Sequence, residues 1–265
     1  MKRLLSFAVL FFLFTLLSSH EFWLQPSSFI LKKGDKANIR FRVGENFEGD
    51  NWSGNKSRVN FLSLYLNGTK TDLSSALSAN KGDSLQYTFL QEGTATVVYN
   101  GLNSFIELAP AKFNTYLEED GLRNAIEYRK QHNEMDSMSH ELYQRSVKTI
   151  LQVGTTYDSS FKQTTPLPLD IIPMQHPYLI KDKQKLTMKV LFNKKPLIEQ
   201  LVIVWYRDEG KTMKEELLTD QDGLVSFKLK KTGSWMVSTV KMEHLENDPK
   251  ANWQSYWGSC TWGYE

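Results

Sequence analysis

The sequence predicts a mainly β protein built from two β-sandwich domains, the second immunoglobulin-like, with a short helical insertion between them. Three observations carry that expectation. Residues 36–43 alternate strictly, with Ala37, Ile39, Phe41 and Val43 on one side and Lys36, Asn38, Arg40 and Arg42 on the other. That is the period of a half-buried strand. After Pro110 the apolar spacing turns helical, and from Lys185 the two-residue period returns.

The chain opens with Lys2 and Arg3, an uncharged apolar stretch over 4–17, and then Ser18 and Ser19. This is the three-part pattern of a secretory signal peptide over residues 1–19, and its apolar core is short for a membrane span. The expectation is a cleaved leader, a periplasmic protein and no stable membrane span after cleavage. A cut after Ser19 makes His20 the mature N-terminus.

The first sandwich is expected over 20–110. Lys33-Gly34-Asp35 reads as a turn, 44–56 as a Gly- and Asn-rich loop, and 59–66, 84–90, 94–99 and 104–108 as further strands. Asn67-Gly68 and Glu92-Gly93 sit at turn positions between them. Several short strands at this spacing suggest an antiparallel sandwich.

The insertion is expected over 111–165. Residues 112–119 and 122–130 read as two short helices parted at Gly121. Residues 139–152 read as a third, because Leu142 and Tyr143, Ser146 and Val147, and Ile150 and Leu151 recur every four residues. Gly154 would end it.

The second sandwich is expected over 166–265. Pro166, Pro168 and Pro173 form an extended connection into it. Leu186, Met188 and Val190 alternate, 201–206 is a buried run, and Asp220-Gln221-Asp222-Gly223 is a turn before Val225, Phe227 and Leu229. A strand over 235–242 follows. The last strand sets Tyr256, Cys260, Trp262 and Tyr264 on one side.

Composition narrows the function. Lys2 and Arg3 belong to the leader, and without them basic and acidic residues balance, which argues against nucleic acid as a partner. Seven Trp, eleven Tyr and fifteen Phe supply large core residues and candidate contact surfaces. With one cysteine, no internal disulfide forms, and Cys260 reads as a small buried hydrophobe. No phosphate-cradling glycine loop, nucleophile elbow, His-Glu-x-x-His motif or cysteine pair is present. Asp220 and Asp222 lack the further acidic positions of a calcium loop.

The sharpest chemical lead is His20. At a mature N-terminus its amine and imidazole Nδ1 close a six-membered chelate, which suits Cu(II), Ni(II), Co(II) and Zn(II). Glu21 is the adjacent candidate. The competing reading is a strand start in which Phe22 and Trp23 simply pack. His132, Met135, Met138 and His140 are spaced too far apart along a helix to grip one ion, and His176 reads as a polar loop residue.

The chain resembles a bacterial envelope family, domain of unknown function 4198, whose members are often labelled periplasmic components of nickel or cobalt uptake. The resemblance rests on His20-Glu21-Phe22-Trp23-Leu24, Phe41-Arg42-Val43-Gly44, Phe47-Glu48-Gly49, Ser104-Phe105-Ile106-Glu107-Leu108, Lys112-Phe113-Asn114-Thr115-Tyr116-Leu117-Glu118-Glu119-Asp120-Gly121-Leu122, Leu167-Pro168-Leu169-Asp170-Ile171-Ile172-Pro173 and Trp253-Gln254-Ser255-Tyr256-Trp257. The C-terminal part separately resembles transthyretin-like and carboxypeptidase-regulatory sandwiches, through 191–197 and 219–227. The family tends to place a histidine where this chain has Lys241, which makes His244 the candidate partner for His20. It also tends to place an acid where this chain has Asn252.

The resemblance implies an association with metal uptake. Taken with the His20 chelate, the leading expectation is an exported, non-enzymatic binding or accessory protein that handles nickel, cobalt or copper through His20, Glu21 and His244. A metal-uptake or envelope protein would be its partner. The alternative is a structural or adhesive sandwich that binds an envelope partner or glycan through Trp253 and Trp257. A third reading, an oxidative copper enzyme, needs a second imidazole beside His20.

Overall fold

The computed structural model describes residues 21–79 and 81–264. Strand makes up 52% and helix 12%, and no sheet closes into a barrel. Residues 1–20, which include the expected leader and His20, lie outside the described residues. Among the described residues no helix is long and apolar enough to cross a membrane.

The chain starts with β1 (Glu21–Pro26), a short β2 (Ile30–Leu31) and β3 (Lys36–Glu45). β3 is the strand its alternation predicts, with Ala37, Ile39 and Phe41 fully buried. The loop expected over 44–56 contains a strand, β4 (Glu48–Asn51), which folds back on β3. The turn uses Asn46 and Phe47 at φ 53° and 55°. Such a hairpin turn usually carries Gly at its second position, so Phe47 hides it. Phe47 is spent instead on packing against Trp23, ring centroids 5.4 Å apart.

β5 (Val59–Leu66) and β6 (Thr69–Asp72) turn at Asn67-Gly68 as expected, followed by β7 (Ser84–Thr88), β8 (Gly93–Gly101) and β9 (Ser104–Leu108). Then come α1 (Pro110–Glu119) and α2 (Arg123–Gln131). Gly121 parts them at φ +64°, where a Cβ would meet Leu201 at 2.7 Å.

The third expected helix is a strand, β10 (Ser139–Val153). Its apolar residues come in adjacent doublets, and neighbouring side chains of a strand point to opposite faces. Val147, Leu151 and Val153 enter one core, while Ile150 enters the other. A strand buried on both faces loses the alternation that marks a half-buried one. The four-residue recurrence of doublets then imitates a helix.

The C-terminal half adds β11 (Leu169–Pro173), β12 (Lys185–Phe192), β13 (Lys195–Pro196), β14 (Leu201–Asp208), β15 (Lys211–Leu218), β16 (Leu224–Lys228), β17 (Ser234–His244) and β18 (Trp253–Gly263). The extended connection expected after Pro166 thus includes the strand β11. Asp220 Oδ1 accepts from the amides of Asp222 and Leu224, which makes the Asp220–Gly223 segment a side-chain-locked turn.

These strands form three sheets. The largest has ten strands, ordered β15-β14-β17-β18-β10-β8-β5-β6, with β2 and β9 also paired to β10. At its centre β10 and β18 run parallel from Glu141↔Trp253 to Thr149↔Thr261. A sheet of β1, β3, β4 and β7 covers one face over the N-terminal half. A sheet of β11, β12, β13 and β16 covers the opposite face over the C-terminal half. There Cys260 and Trp262 are fully buried, Tyr256 and Tyr264 pack beside them, and Trp235 stacks on Trp262 at 6.1 Å and 7°.

β1 is held to the long sheet by side chains as well as packing. Ser259 Oγ donates to the Phe22 carbonyl at 2.7 Å and Thr261 Oγ1 to the Leu24 carbonyl at 2.8 Å, all in buried surroundings. The Arg145 guanidinium lies 4.4 Å over the Phe22 ring. The double variant Ser259→Ala/Thr261→Val leaves those carbonyls without their hydroxyl donors. It should lower stability by about 1–3 kcal/mol per lost bond, read as a lower urea midpoint at unchanged slope.

Candidate functional site

The face of the long sheet that holds β1 continues beyond it as a crevice. Its floor is Leu201 and Ile203 from β14, Ser238 and Val240 from β17, and Trp257 and Ser259 from β18. Glu21, at the head of β1, forms one wall and Asp120, capping the C-terminal end of α1, forms the other. The crevice has room for about one water-sized guest.

Two features of its acids run against stability. Asp120 ends a helix whose last turn carries no basic residue. An acid there opposes the helix dipole. Glu21 is pushed up to about 8, first by burial and then by the charges of Asp120 and Glu45, against the lowering effects of its own backbone hydrogen bond and of Lys214.

A second buried acid lies behind Trp257. Ser255 Oγ and Tyr116 OH both donate to Glu141 Oε1, the latter at 3.2 Å, and Trp257 Nε1 donates to Ser255 Oγ at 2.9 Å. Tyr116 stacks on Trp257 at 5.6 Å and 23°. Glu141 is pushed up to about 7, chiefly by burial, with Asp120 adding and the two hydroxyl donors opposing. Asp120 therefore raises both glutamates and the Tyr116 phenol as well.

The sequence candidates separate in space. Glu21 is in the crevice and His20 lies outside the described residues. His244 is four residues along β17 from Val240, about 13 Å at strand spacing, so it does not meet Glu21. It stacks on Tyr128 at 4.0 Å, and His132 stacks on the opposite ring face at 3.9 Å. Among the described residues no three of His, Cys, Asp and Glu are grouped to hold a metal ion. Asn252, where the family tends to place an acid, accepts from the His140 amide at 2.8 Å.

Trp253 does not supply a binding surface. It is 1% exposed, buried among Phe113, Tyr128 and His244 under the helices. Trp257 is half-buried, stacked on Tyr116 and hydrogen-bonded to Ser255, and it lines the crevice. His176, which reads from sequence as a polar loop residue, is a neutral strut. The Tyr178 amide donates to its Nδ1 at 3.2 Å, so Nε2 carries the proton toward Thr94 Oγ1 at 2.8 Å. Burial lowers it to about 4.

The sequence alone does not bring out Asp120 and Glu141 as partners. Asp120 is one of three consecutive acids at a helix end, and Glu141 falls in a segment whose spacing imitates a helix. The one available signal is an acid placed against the helix dipole.

A carboxyl raised from 4.5 to about 7 by folding binds its proton more tightly in the native state. Stability therefore falls as pH rises through that window. Glu141→Gln removes the titration, so its stability relative to the unmodified chain should rise by about 3 kcal/mol between pH 4.5 and pH 7.5, measured by urea unfolding. A flat difference would place the carboxylate in a solvated setting.

No curated protein matches the chain. Among solved structures it is similar to a DUF4785 family protein from Legionella pneumophila at 10% identity and a TM-score of 0.25, covering 81% of this chain and 51% of that one. It is similar to a Salmonella alpha-2-macroglobulin at 9% identity and a TM-score of 0.24, covering 92% of this chain and 15% of that one. An Escherichia coli alpha-2-macroglobulin gives 8%, 0.21, 92% and 20% in the same order. The chain thus spans about half the length of the first of these and far less of the others. The profile of the domain of unknown function DUF4198 matches residues 17–243, most of the sequence, and the chain belongs to that family.

Proposed function

We propose that this is an exported, non-enzymatic binding protein that carries a divalent transition cation in the crevice at the head of β1. Nickel, cobalt and copper are the cargo class, and a metal-uptake or envelope protein is the partner that receives it. The observation behind the reading is that Glu21 and Asp120, far apart in sequence, line one narrow crevice that begins one residue after His20.

The chemistry is additive. Asp120 and Glu21 supply oxygen ligands, Glu21 once the metal displaces the proton that its raised pKa holds, and a mature N-terminal His20 would supply an amine and an imidazole. Mixed nitrogen and oxygen sets of that kind suit the later first-row divalent ions. The narrowness of the crevice favours an ion over an organic ligand. His244 has no part in this site, being occupied by Tyr128 and Trp253.

The test is calorimetric titration of Ni(II), Co(II) and Cu(II) into the exported protein, with its N-terminus fixed by mass spectrometry. Glu21→Gln, Asp120→Asn and His20→Ala should each weaken binding at least about tenfold, a difference of ~1.4 kcal/mol, and His244→Ala should not. Equal affinity in Glu21→Gln and Asp120→Asn would dismiss the crevice. An N-terminus other than His20 would remove the amine chelate.

A further inference from the structure

Among the described residues, one pair of charged side chains crosses the apolar contact between the long sheet and the small sheet that covers its C-terminal half. Lys148 rises from the middle of β10, on the same face as Ile150. Asp170 meets it from β11, the edge strand of the small sheet, and Nζ is in direct contact with Oδ1. The two side chains are 1% and 2% exposed.

The surroundings are poor for two charges. Cys260, opposite Lys148 on β18, has its thiol pushed up to about 12 by burial first of all. Tyr65 and Leu167 are buried nearby. An ammonium has three protons to give. Among the described residues Lys148 Nζ has no acceptor besides Asp170 Oδ1. A buried ion pair repays its desolvation only when its remaining donors and acceptors are also met.

The carboxylate is better served on its other oxygen. The Thr165 amide donates to Asp170 Oδ2 at 2.8 Å and Thr165 Oγ1 donates at 3.1 Å. Two donors on one oxygen, with an amine against the other, is the arrangement that acyl transfer needs.

We propose that Lys148 and Asp170 condense to an amide cross-link between the two sheets. A proton passes from the ammonium to Oδ1 across their direct contact, giving a neutral amine and a carboxylic acid. Nζ then attacks Cγ, and the negative charge that develops on Oδ2 is met by the two Thr165 donors. The Cγ–Oδ1 bond breaks as Oδ1 takes a second proton from nitrogen and leaves as water. Ammonium and carboxylate become amide and water, with atoms and charge balanced and no co-reactant required. The product removes both buried charges. It keeps Oδ2 as a carbonyl with its existing donors, and leaves nitrogen with one N–H in place of three.

Peptide mass spectrometry of the full chain, unfolded before proteolysis, tests the cross-link directly. A branched peptide joining the Lys148 and Asp170 fragments, lighter than their sum by one water, is the expected result. Lys148→Arg and Asp170→Ala should each abolish it. Recovery of both residues only in linear, unmodified peptides, or a missing water located elsewhere, overturns the proposal. The digest of the unmodified sequence is decisive even if either variant fails to fold.

Discussion

A strand covered on both faces has to satisfy two cores at once, and β10 is in that position. Its parallel partner β18 carries the same burden, with Cys260 and Trp262 in one core and Ser259 and Thr261 against β1. Parallel pairing needs a long crossover, and here the intervening chain supplies the small sheet and most of the C-terminal half. The two sandwiches are therefore not beads on a linker. They share a ten-stranded sheet, and each buries a different side of it.

The crevice follows from that sharing. The small sheet covers only one face of the C-terminal half, so the other face needs a different cover. β1 supplies part through Trp23, which packs with Phe47, Ile203, Trp205 and Met236. The helices supply the rest through Phe113, Tyr116 and Leu117 over Val240, Met242 and Trp253. Glu21 and Asp120 stand where those two covers meet. The raised pKa of Glu21 is a property of the join, because a strand start alone would not set its carboxyl beside the half-buried Asp120.

How much of this can be read from sequence depends on whether a pattern has one cause or two. β3 faces one core, and its alternation marks its position and its buried side without ambiguity. Val225, Phe227 and Leu229 do the same in the second sandwich. β10 answers to two cores, so its doublets obey two rules together and match a third. Glu21 is accessible because it adjoins an unusual histidine. Asp120 and Glu141 are hidden, since contacts between a helix end, a strand start and a central strand depend on a topology that single-strand periodicity does not encode. The placement of His244 against Tyr128 and the burial of Trp253 are hidden for the same reason: the helices that pack on them come from more than a hundred residues earlier.

The polar residues of β10 bear on its register. A one-residue slip would turn every side chain of the strand to the opposite face. A slip in a purely apolar strand covered on both sides would exchange one greasy residue for another at modest cost. β10 instead carries Glu141 toward Tyr116 and Ser255 on the helix side, and Lys148 toward Asp170 on the small-sheet side. A slip would bury each charge against partners that cannot meet it, a penalty well above that of a misplaced methylene. The two charged groups therefore give the shared strand a single alignment with both of its covers. Both sandwiches inherit that alignment, and through β18 and β1 so does the crevice.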